Sequence, residues 1–348
     1  MNLIKKIKDW EQWPFKVLYA PIVPVWFWYM MRSRSVWFFT ASNPKLTFGG
    51  MEGEPKKEMH DLLPAKYCPN YFNVKPSDDF TEIKEKLKQH DIFYPLIVKP
   101  EIGGQGILFR KIEDESHLKE YHSKIPVDYF IQEFIHYPVE VSLFYYRYPF
   151  EKKGAITGFL QKIPMRVTGD GIHNLGQLLQ LNSKTKKRLA ELKLKHEINF
   201  SKIIPQDEVY ILSYAGNHNR GAHFIDLKSE INDDLVTILD EISLSINDFF
   251  YGRYDIMCNS VEELKQGKNF MILEYNGCGA EPNHFYDTGY TLSKAWKEIL
   301  KHWKILFEIS RYNHRNGINY WPFIKGFRFR IETKRYFKKI NAADRKIA

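Results

Sequence analysis

The sequence contains few cysteines, and their arrangement excludes two kinds of site. Only three occur among 348 residues, at Cys68, Cys258 and Cys278. Because the number is odd and no two have a paired spacing, we expect neither a disulfide framework nor a cysteine-based zinc site. This usage is typical of a reducing compartment. The N-terminus also predicts no signal peptide, since charges stand where an apolar core would begin.

The sequence has little continuous apolar character of the kind that crosses a bilayer. An uncharged aromatic segment, Val17–Met31, contains two prolines and is shorter than the ~20 residues that a spanning helix needs. Lys16, Arg32 and Arg34 flank it. Two interpretations stay open. The segment is either a helix packed on the protein's own core, or a helix that lies in a membrane interface through residues 10–39 with cationic flanks against anionic lipid.

Composition and charge are those of a globular protein with an anionic partner. The chain is 44% hydrophobic and 27% charged, and its length suffices for two or three packed subdomains. The formal net charge of +9 suits a nucleotide, an acidic substrate, nucleic acid or a membrane surface. We expect no nucleic acid partner, because the basic C-terminal tail with interleaved aromatics is more typical of a helix packing one side on the body.

The order of predicted elements indicates an α+β fold. Asp78 or Asp79 can cap a helix, and the buried strand that follows ends at Lys99. Residues 174–197 predict a long basic helical region, and a closing helix ends near Gly317. Strands do not alternate strictly with crossover helices, so the pattern favours antiparallel hairpins flanked by helices over a parallel doubly wound sheet.

A glycine-rich loop follows the strand that ends at Lys99. Gly103, Gly104 and Gly106 allow backbone N–H groups to turn inward as an anion-binding nest, and the lysine adds a positive charge. The loop is not a Walker A motif, because the lysine precedes the glycines. The motif therefore indicates either a phosphate-covering loop or a surface hairpin with a solvated lysine.

The next motif surrounds a proline kink between two predicted strands. The backbone of Gln132, Glu133 and Phe134 can hydrogen-bond an adenine edge, and Glu140 can accept hydrogen bonds from ribose hydroxyls. The alternative is a pair of exposed glutamates. The segment is therefore a candidate nucleoside site.

Oxygen-bearing side chains end two later strands. Glu274 and Asn276 share a face by strand periodicity, and Asp255 joins them if the two strands pair. Two carboxylates and an amide oxygen form a ligand set that Mg²⁺ prefers. Arg253 lies on the same face as Asp255 and can stabilise a phosphoryl group or an oxyanion. The alternative is ordinary salt bridging at a strand end.

The order of these motifs resembles the ATP-grasp superfamily over roughly residues 56–290. Gly169–Gly171 is similar to the Gly-Asp-Gly segment of cyanophycin synthetases. Residues 216–226 are similar to the Asn-x-x-x-Gly-Gly segment of the same amide-forming ligases, with Ala222 replacing the second glycine. The sequence LEYNG also resembles D-alanine–D-alanine ligases. The resemblance implies an ATP-grasp fold in which two α+β subdomains clamp the nucleotide, with a short aromatic N-terminal segment.

The resemblance also implies ligands for each motif. For ATP, the implied residues are Lys56 and Lys99 at the phosphates, Gly103, Gly104 and Gly106 in the covering loop, Gln132, Glu133 and Phe134 at adenine, and Glu140 at the ribose. For metal, they are Asp255, Glu274 and Asn276, which would hold two Mg²⁺ ions, with Mn²⁺ as an alternative.

The implied catalytic groups are fewer. Arg253 would bind the γ-phosphate or the intermediate, and Arg220 would read an anionic substrate. Backbone N–H groups around Gly277 and Gly279 would stabilise a tetrahedral oxyanion.

These roles imply an ATP-dependent carboxylate–amine ligase. A substrate carboxylate is activated as an acylphosphate and joined to an amine, so the expected partners are small-molecule acids and amines. An ATP-grasp kinase without the amine step and a non-catalytic nucleotide-binding protein are the alternatives. The expected location is cytoplasmic, and peripheral on the inner face of the membrane if the aromatic segment contacts lipid.

Five segments are expected along the chain. They are an aromatic N-terminal segment (1–55), a remnant of the region before the ATP-grasp fold with a linker (56–98), a small ATP-grasp subdomain (99–165), a large one (166–325) and a basic tail (326–348).

Overall fold

The structure is a computed structural model that describes residues 10–104, 106–186, 188–214, 216–218, 221–246 and 248–345. Helices and strands both contribute, so the predicted α+β fold class is confirmed. The strands are β1 (Tyr71–Val74), β2 (Leu96–Pro100), β3 (Arg110–Ile112), β4 (Tyr129–Glu133), β5 (Val139–Tyr146), β6 (Ala155–Ile163), β7 (Met165–Thr168), β8 (Val209–Ser213), β9 (His223–Asp226), β10 (Tyr251–Cys258) and β11 (Phe270–Asn276).

The α-helices range from one turn to more than six turns. They are α1 (Phe15–Tyr19), α2 (Val23–Ser33), α3 (Lys56–Leu62), α4 (Phe80–Gln89), α5 (Glu115–Lys124), α6 (Leu175–Leu181), α7 (Ser183–Lys186), α8 (Leu189–Lys195), α9 (Asp233–Ile246), α10 (Val261–Lys265), α11 (Leu292–Arg315) and α12 (Phe323–Asp344).

The chain divides into two compact units, each assembled from separate stretches of sequence. The first comprises the described residues of Met1–Pro69, Ile135–Gln161 and Phe224–Tyr336. The second comprises those of Asn70–Phe134, Lys162–His223 and Phe337–Ala348. The predicted division into five consecutive segments stays a prediction.

The first unit is built on a five-stranded sheet in the order β11-β10-β5-β6-β9. Alternate residues of a strand face opposite sides of the sheet. One face, with Tyr254 and Ile256 of β10, packs on the apolar side of α9. On the other face, Phe144 of β5 and Tyr251 of β10 join an aromatic cluster with α11 and the N-terminal segment. The polar residues of β10 between these aromatics therefore lie on the α11 side of the sheet.

The N-terminal segment belongs to the core of this unit. Phe38 and Phe48 are fully buried, and the α2 residue Trp26 lies 4.9 Å from Phe38 between ring centres. The opposite side of α2 is exposed, including Trp28 and Met31. The segment thus packs on its own protein and still presents an apolar surface. Among the described residues, no helix combines the length and apolar character that crossing a bilayer requires.

The second unit contains a four-stranded antiparallel sheet in the order β1-β4-β2-β3 and a β7–β8 pair. Asp79 caps α4, since its side chain accepts a hydrogen bond from the Thr81 N–H, which confirms one of the two predicted caps. Helices α6 and α8 pack on β7 and β8 through a small apolar cluster.

The predicted helical region over 174–197 is helical over most of its described residues. It is divided into short helices, and the first one ends at Leu181. Asn182 adopts an extended backbone, with φ −93° and ψ 127°, and its side chain accepts from the Lys184 N–H. Asparagine competes for backbone hydrogen bonds in this way, and the competition interrupts the helix.

Candidate active site

The candidate metal residues lie on two paired strands of the first unit. Strands β10 and β11 run antiparallel, with Arg253 opposite Asn276 and Asp255 opposite Glu274. This register confirms the strand pairing on which the sequence prediction depended. The ladder shifts directly after Asp255, and bulges of this kind are over-represented next to active sites. Four polar side chains are therefore brought onto neighbouring positions of one sheet.

Asp255 is the most deeply buried member of this group, with 5% of its surface exposed. Its carboxylate accepts hydrogen bonds from Arg253 Nε and Nη2, both at 3.2 Å, from Ser142 Oγ at 2.8 Å and from Asn276 Nδ2 at 3.3 Å. Ser142 lies directly opposite on β5. Donors from three strands thus converge on one carboxylate, which lets this charge remain buried.

Arg253 is held as a cation by its surroundings. Burial on its own would lower the pKa of Arg253, but the carboxylate of Asp255 outweighs it and raises the pKa. Its Nη1 also donates to the backbone oxygen of Glu281 at 3.2 Å. The guanidinium is therefore fixed in position by two elements.

Glu274 has a cationic partner that the sequence analysis assigned to phosphate. Lys56 Nζ, at the start of α3, lies 2.7 Å from Glu274 Oε1. The lysine side chain is 11% exposed and the glutamate side chain 36%. The structure thus brings Lys56 to Glu274, one of the candidate metal residues of the same unit.

Sequence reasoning missed Glu54, two residues before Lys56. Burial, with the nearby charge of Glu274 as a smaller contribution, raises the pKa of Glu54 to about 7. Its Oε2 is buried and has no hydrogen-bond partner among the described residues. Glu54 lies between assigned elements, in a stretch without a periodic pattern, so no local signal identifies it.

Oxygen donors of this kind fit Mg²⁺. Carboxylates from Asp255 and Glu274 face each other across the ladder, and the Asn276 amide contacts the Asp255 carboxylate. Mg²⁺ prefers such hard oxygen ligands and keeps several waters. The cations Lys56 and Arg253 show that this cluster of carboxylates already attracts positive charge.

Gly277 and Gly279 have a structural task that the oxyanion prediction did not foresee. A Cβ at Gly279 would lie 2.0 Å from the Met51 backbone oxygen. The N–H groups of Cys278 and Gly279 donate to the carbonyls of Gly49 and Gly50 at 3.1 and 2.9 Å. These two donors are therefore engaged within the protein, and the oxyanion role of Gly277 and Gly279 stays a prediction. The glycines allow two backbone segments to pack closely.

The candidate nucleotide residues of the second unit surround β2 and β4. Lys99 is 8% exposed near the end of β2, and the described glycines of the following loop are Gly103, Gly104 and Gly106. Gly106 has a φ of +71°, which glycine adopts without strain.

Strand β4 carries the predicted adenine segment. It pairs with strands on both sides, and the Glu133 N–H donates to the Asn70 carbonyl at 2.9 Å. The backbone of Gln132 lies opposite Tyr71 and Ile97. The adenine role of Gln132, Glu133 and Phe134 stays a prediction, and Phe134 is the first residue after the strand.

Two remaining predicted residues lie elsewhere. Glu140 belongs to the first unit, on β5 opposite Met257. Arg220 lies outside the residues that the structure describes, so its substrate role stays a prediction.

Comparison with solved structures shows similarity to ligases. A D-alanine–D-alanine ligase from Bacillus anthracis has 15% identity over 78% of this chain and 72% of its own, with a TM-score of 0.42. The VanG D-Ala:D-Ser ligase from Enterococcus faecalis has 12% identity over 74% and 62%, with a TM-score of 0.41. A bifunctional glutathione synthetase from Pasteurella multocida has 12% identity over 75% and 38%, with a TM-score of 0.37.

The chain spans less than two thirds of the VanG and glutathione synthetase chains. No family model matches the sequence, and no curated protein matches it. The functional proposal rests on the side chains of β10 and β11 and not on these similarities.

Proposed function

We propose that this protein is an ATP-dependent carboxylate–amine ligase of the ATP-grasp type. The observation that carries the proposal is the convergence of Asp255, Glu274 and Asn276 with Arg253 and Lys56 on the paired strands β10 and β11. Carboxylates that hold metal, beside fixed cations, form the environment that phosphoryl transfer requires.

Asp255, Glu274 and Asn276 are the residues proposed to hold Mg²⁺, with Mn²⁺ as the alternative ion. When bound, the metal would neutralise charge on the phosphate oxygens of ATP. Lys56 is proposed to exchange Glu274 for a phosphate oxygen, since it lies within 2.7 Å of that carboxylate. The salt bridge would then hold the lysine in place until the nucleotide arrives.

Further ATP contacts are proposed from the motifs. In the second unit, Lys99 and the glycine loop would contact the phosphates, and Phe134 would contact adenine. In the first unit, Glu140 would accept hydrogen bonds from the ribose. Lysines are usually exposed to solvent, whereas Lys99 is buried. Its burial supports a role in which its charge meets an anionic ligand.

The proposed reaction has two steps. A substrate carboxylate oxygen attacks the γ-phosphorus of ATP, ADP leaves, and an acylphosphate forms. An amine nitrogen then attacks the acyl carbon, phosphate leaves with the carbon–oxygen bond electrons, and the nitrogen loses a proton. Arg253 would stabilise first the transferring phosphoryl group and then the oxyanion. Its fixed position and retained charge suit both tasks.

The direct test is a phosphate-release screen with Mg·ATP over amino acids, dipeptides and envelope precursors, followed by mass spectrometry of the product. The ligase proposal predicts ADP, free phosphate and an amide in equal amounts. A stable phosphorylated substrate instead would indicate the kinase alternative. No nucleotide turnover with any pair, despite Mg·ATP binding, would favour a nucleotide-binding protein.

We also propose that the exposed side of α1 and α2 rests on an anionic membrane surface. Phe15, Phe27, Trp28 and Met31 are each more than half exposed. Arg32, in the last turn of α2, lies 5.9 Å from the Trp28 ring centre. Aromatics and cations side by side suit the headgroup region of anionic lipid.

Vesicle pelleting tests this contact. The full chain should sediment with phosphatidylglycerol vesicles and much less with phosphatidylcholine vesicles. The double change Phe27→Ser and Trp28→Ser should release it, whereas Phe150→Ser, which alters an exposed aromatic elsewhere in the chain, should not. Equal sedimentation of both variants would reject the membrane contact.

A further inference from the structure

A second cluster of polar side chains lies inside the first unit and has no part in the reaction proposed above. Glu298 and His302 stand one turn apart on α11, and His284 comes from the short turn Asn283–Phe285. The Nε2 atoms of His284 and His302 lie 3.5 and 3.3 Å from Glu298 Oε1. One ligand atom from each residue lies within 4.8 Å of the others.

The two imidazoles are buried and poorly satisfied. The side chains of His284 and His302 are 4% and 1% exposed, and that of Glu298 is 17% exposed. Within the described part of the chain, His284 Nδ1 has no hydrogen-bond partner, and the Nε2 atoms of His284 and His302 face Glu298 Oε1 without hydrogen-bond geometry. Leaving a buried polar group unsatisfied costs about 1–3 kcal/mol. A ligand that bonds to these nitrogens would remove that cost.

The geometry points to a divalent transition metal, of which Zn²⁺ is the representative ion, bound by His284, Glu298 and His302. Two imidazoles and one carboxylate form a zinc ligand set that leaves a further position for water. Bonds of about 2.0–2.1 Å in a tetrahedral centre separate neighbouring ligand atoms by about 3.4 Å. The observed 3.3 and 3.5 Å match that separation and exceed the usual length of a charge-assisted hydrogen bond.

A polar neighbour is placed to orient one of the two rings. The Tyr251 hydroxyl lies 3.4 Å from His302 Nδ1, where it can orient the ring.

One neighbouring charge opposes the metal. Lys301 Nζ lies 3.5 Å from Glu298 Oε1, and the lysine side chain is 54% exposed. Its exposure allows it to swing into solvent when a cation enters. Removing this charge should therefore strengthen metal binding, whereas removing a ligand should weaken it.

A metal here would fix the turn that follows β11. Asn283, next to His284, has its Nδ2 3.5 Å from Ser142 Oγ, and Ser142 donates to Asp255. The ion would thus tie this turn to α11 and support the position of the Ser142–Asp255 pair. This is a positioning role, since no ligand of the ion contacts substrate in the proposed reaction.

The test uses the full chain dialysed against Zn²⁺ and then against metal-free buffer, with metal content measured by mass spectrometry. We expect one retained Zn²⁺ per chain. Glu298→Gln and His302→Asn should weaken binding by more than about 100-fold, beyond the 10–100-fold typical of altering an outer-shell partner. His117→Asn, at an exposed histidine, should bind like wild type. Lys301→Ala should bind more tightly.

Two further measurements keep the outcome clear. X-ray absorption of the wild-type zinc form should show two imidazole nitrogens at about 2.0–2.1 Å, which does not depend on any variant folding. Asp255→Asn should retain Zn²⁺ if it remains folded, so loss of the Mg·ATP site and loss of this site are separable. No retained zinc in the wild type, a coordination shell without imidazole, or unchanged binding in both ligand variants would overturn the proposal.

Discussion

Replacing Asp255 with Asn perturbs the centre of the candidate site while keeping its shape. The change removes the negative charge opposite Arg253, whose side chain is 18% exposed. Two arginine N–H groups at 3.2 Å then face a neutral amide. Breaking a buried ion pair from one side costs about 3–5 kcal/mol, because the remaining charge is uncompensated. We expect a loss of that size in the free energy of unfolding.

Chemical unfolding followed by tryptophan fluorescence measures this loss. Arg253→Met made in the Asp255→Asn background should recover part of it, since the uncompensated cation is then gone. The two single variants and the double variant form a cycle whose coupling energy should reach about 2–3 kcal/mol. A cost below about 1 kcal/mol for Asp255→Asn, or simple additivity of the two changes, would refute the reasoning.

Three further predictions concern the same unit. Because burial raises the pKa of Glu54 from 4.5 to about 7, the native state holds a proton that the unfolded state releases, and stability falls as pH rises through that window. At 1.36 kcal/mol per pKa unit, Glu54→Gln should remove roughly 3 kcal/mol of the difference in unfolding free energy between pH 4.5 and pH 8. If the variant keeps the pH dependence of the wild type, this prediction is contradicted. Gly279→Ala should destabilise the protein by at least about 1–3 kcal/mol, since the new Cβ would clash with the Met51 backbone. Gly104→Ala should not destabilise it, because no atom lies within 4 Å of a Cβ at that position. Equal shifts in melting temperature for the two variants would be evidence against the close packing at Gly279. Lys56→Met should lower the free energy of unfolding by at most about 1 kcal/mol, because its partner Glu274 is partly exposed. The same change should weaken ATP binding at least tenfold in calorimetry. A large loss of stability with intact ATP binding would contradict the phosphate role of Lys56.

Residue spacing within a strand predicted which side chains of the candidate site share a face of the sheet. The spacing of Glu274 and Asn276 places them on one face of a strand, and an Arg-x-Asp strand nearby can present Arg253 and Asp255 in the same way. The structure pairs these strands in the required register. The cap at Asp79 follows the same logic, because a cap contacts only the next turn.

Features that depend on distant segments could not be predicted. The contact between Lys56 and Glu274 joins residues 218 positions apart, and no periodicity links them. The glycines at 277 and 279 suggested backbone flexibility, but their actual partner is the Gly49–Gly50 segment. His284 likewise appears isolated in the sequence, although folding places it against Glu298 and His302.

The division of the helical region over 174–197 into short helices was not predicted, for a different reason. The periodicity of a sequence window reports only which residues form the apolar side of a helix. The helix ends because the Asn182 side chain accepts a hydrogen bond from the Lys184 N–H, and this bond does not depend on the periodicity. A single asparagine can therefore divide a helix that the pattern presents as continuous.

Calorimetric titration of Mg·ATP into the wild type and Glu274→Gln tests the central claim most directly, with Glu262→Gln as a matched change at an exposed glutamate nearby in sequence. Binding that requires Mg²⁺, persists in Glu262→Gln and weakens at least tenfold in Glu274→Gln is the predicted result. Wild-type binding in Glu274→Gln would contradict the account.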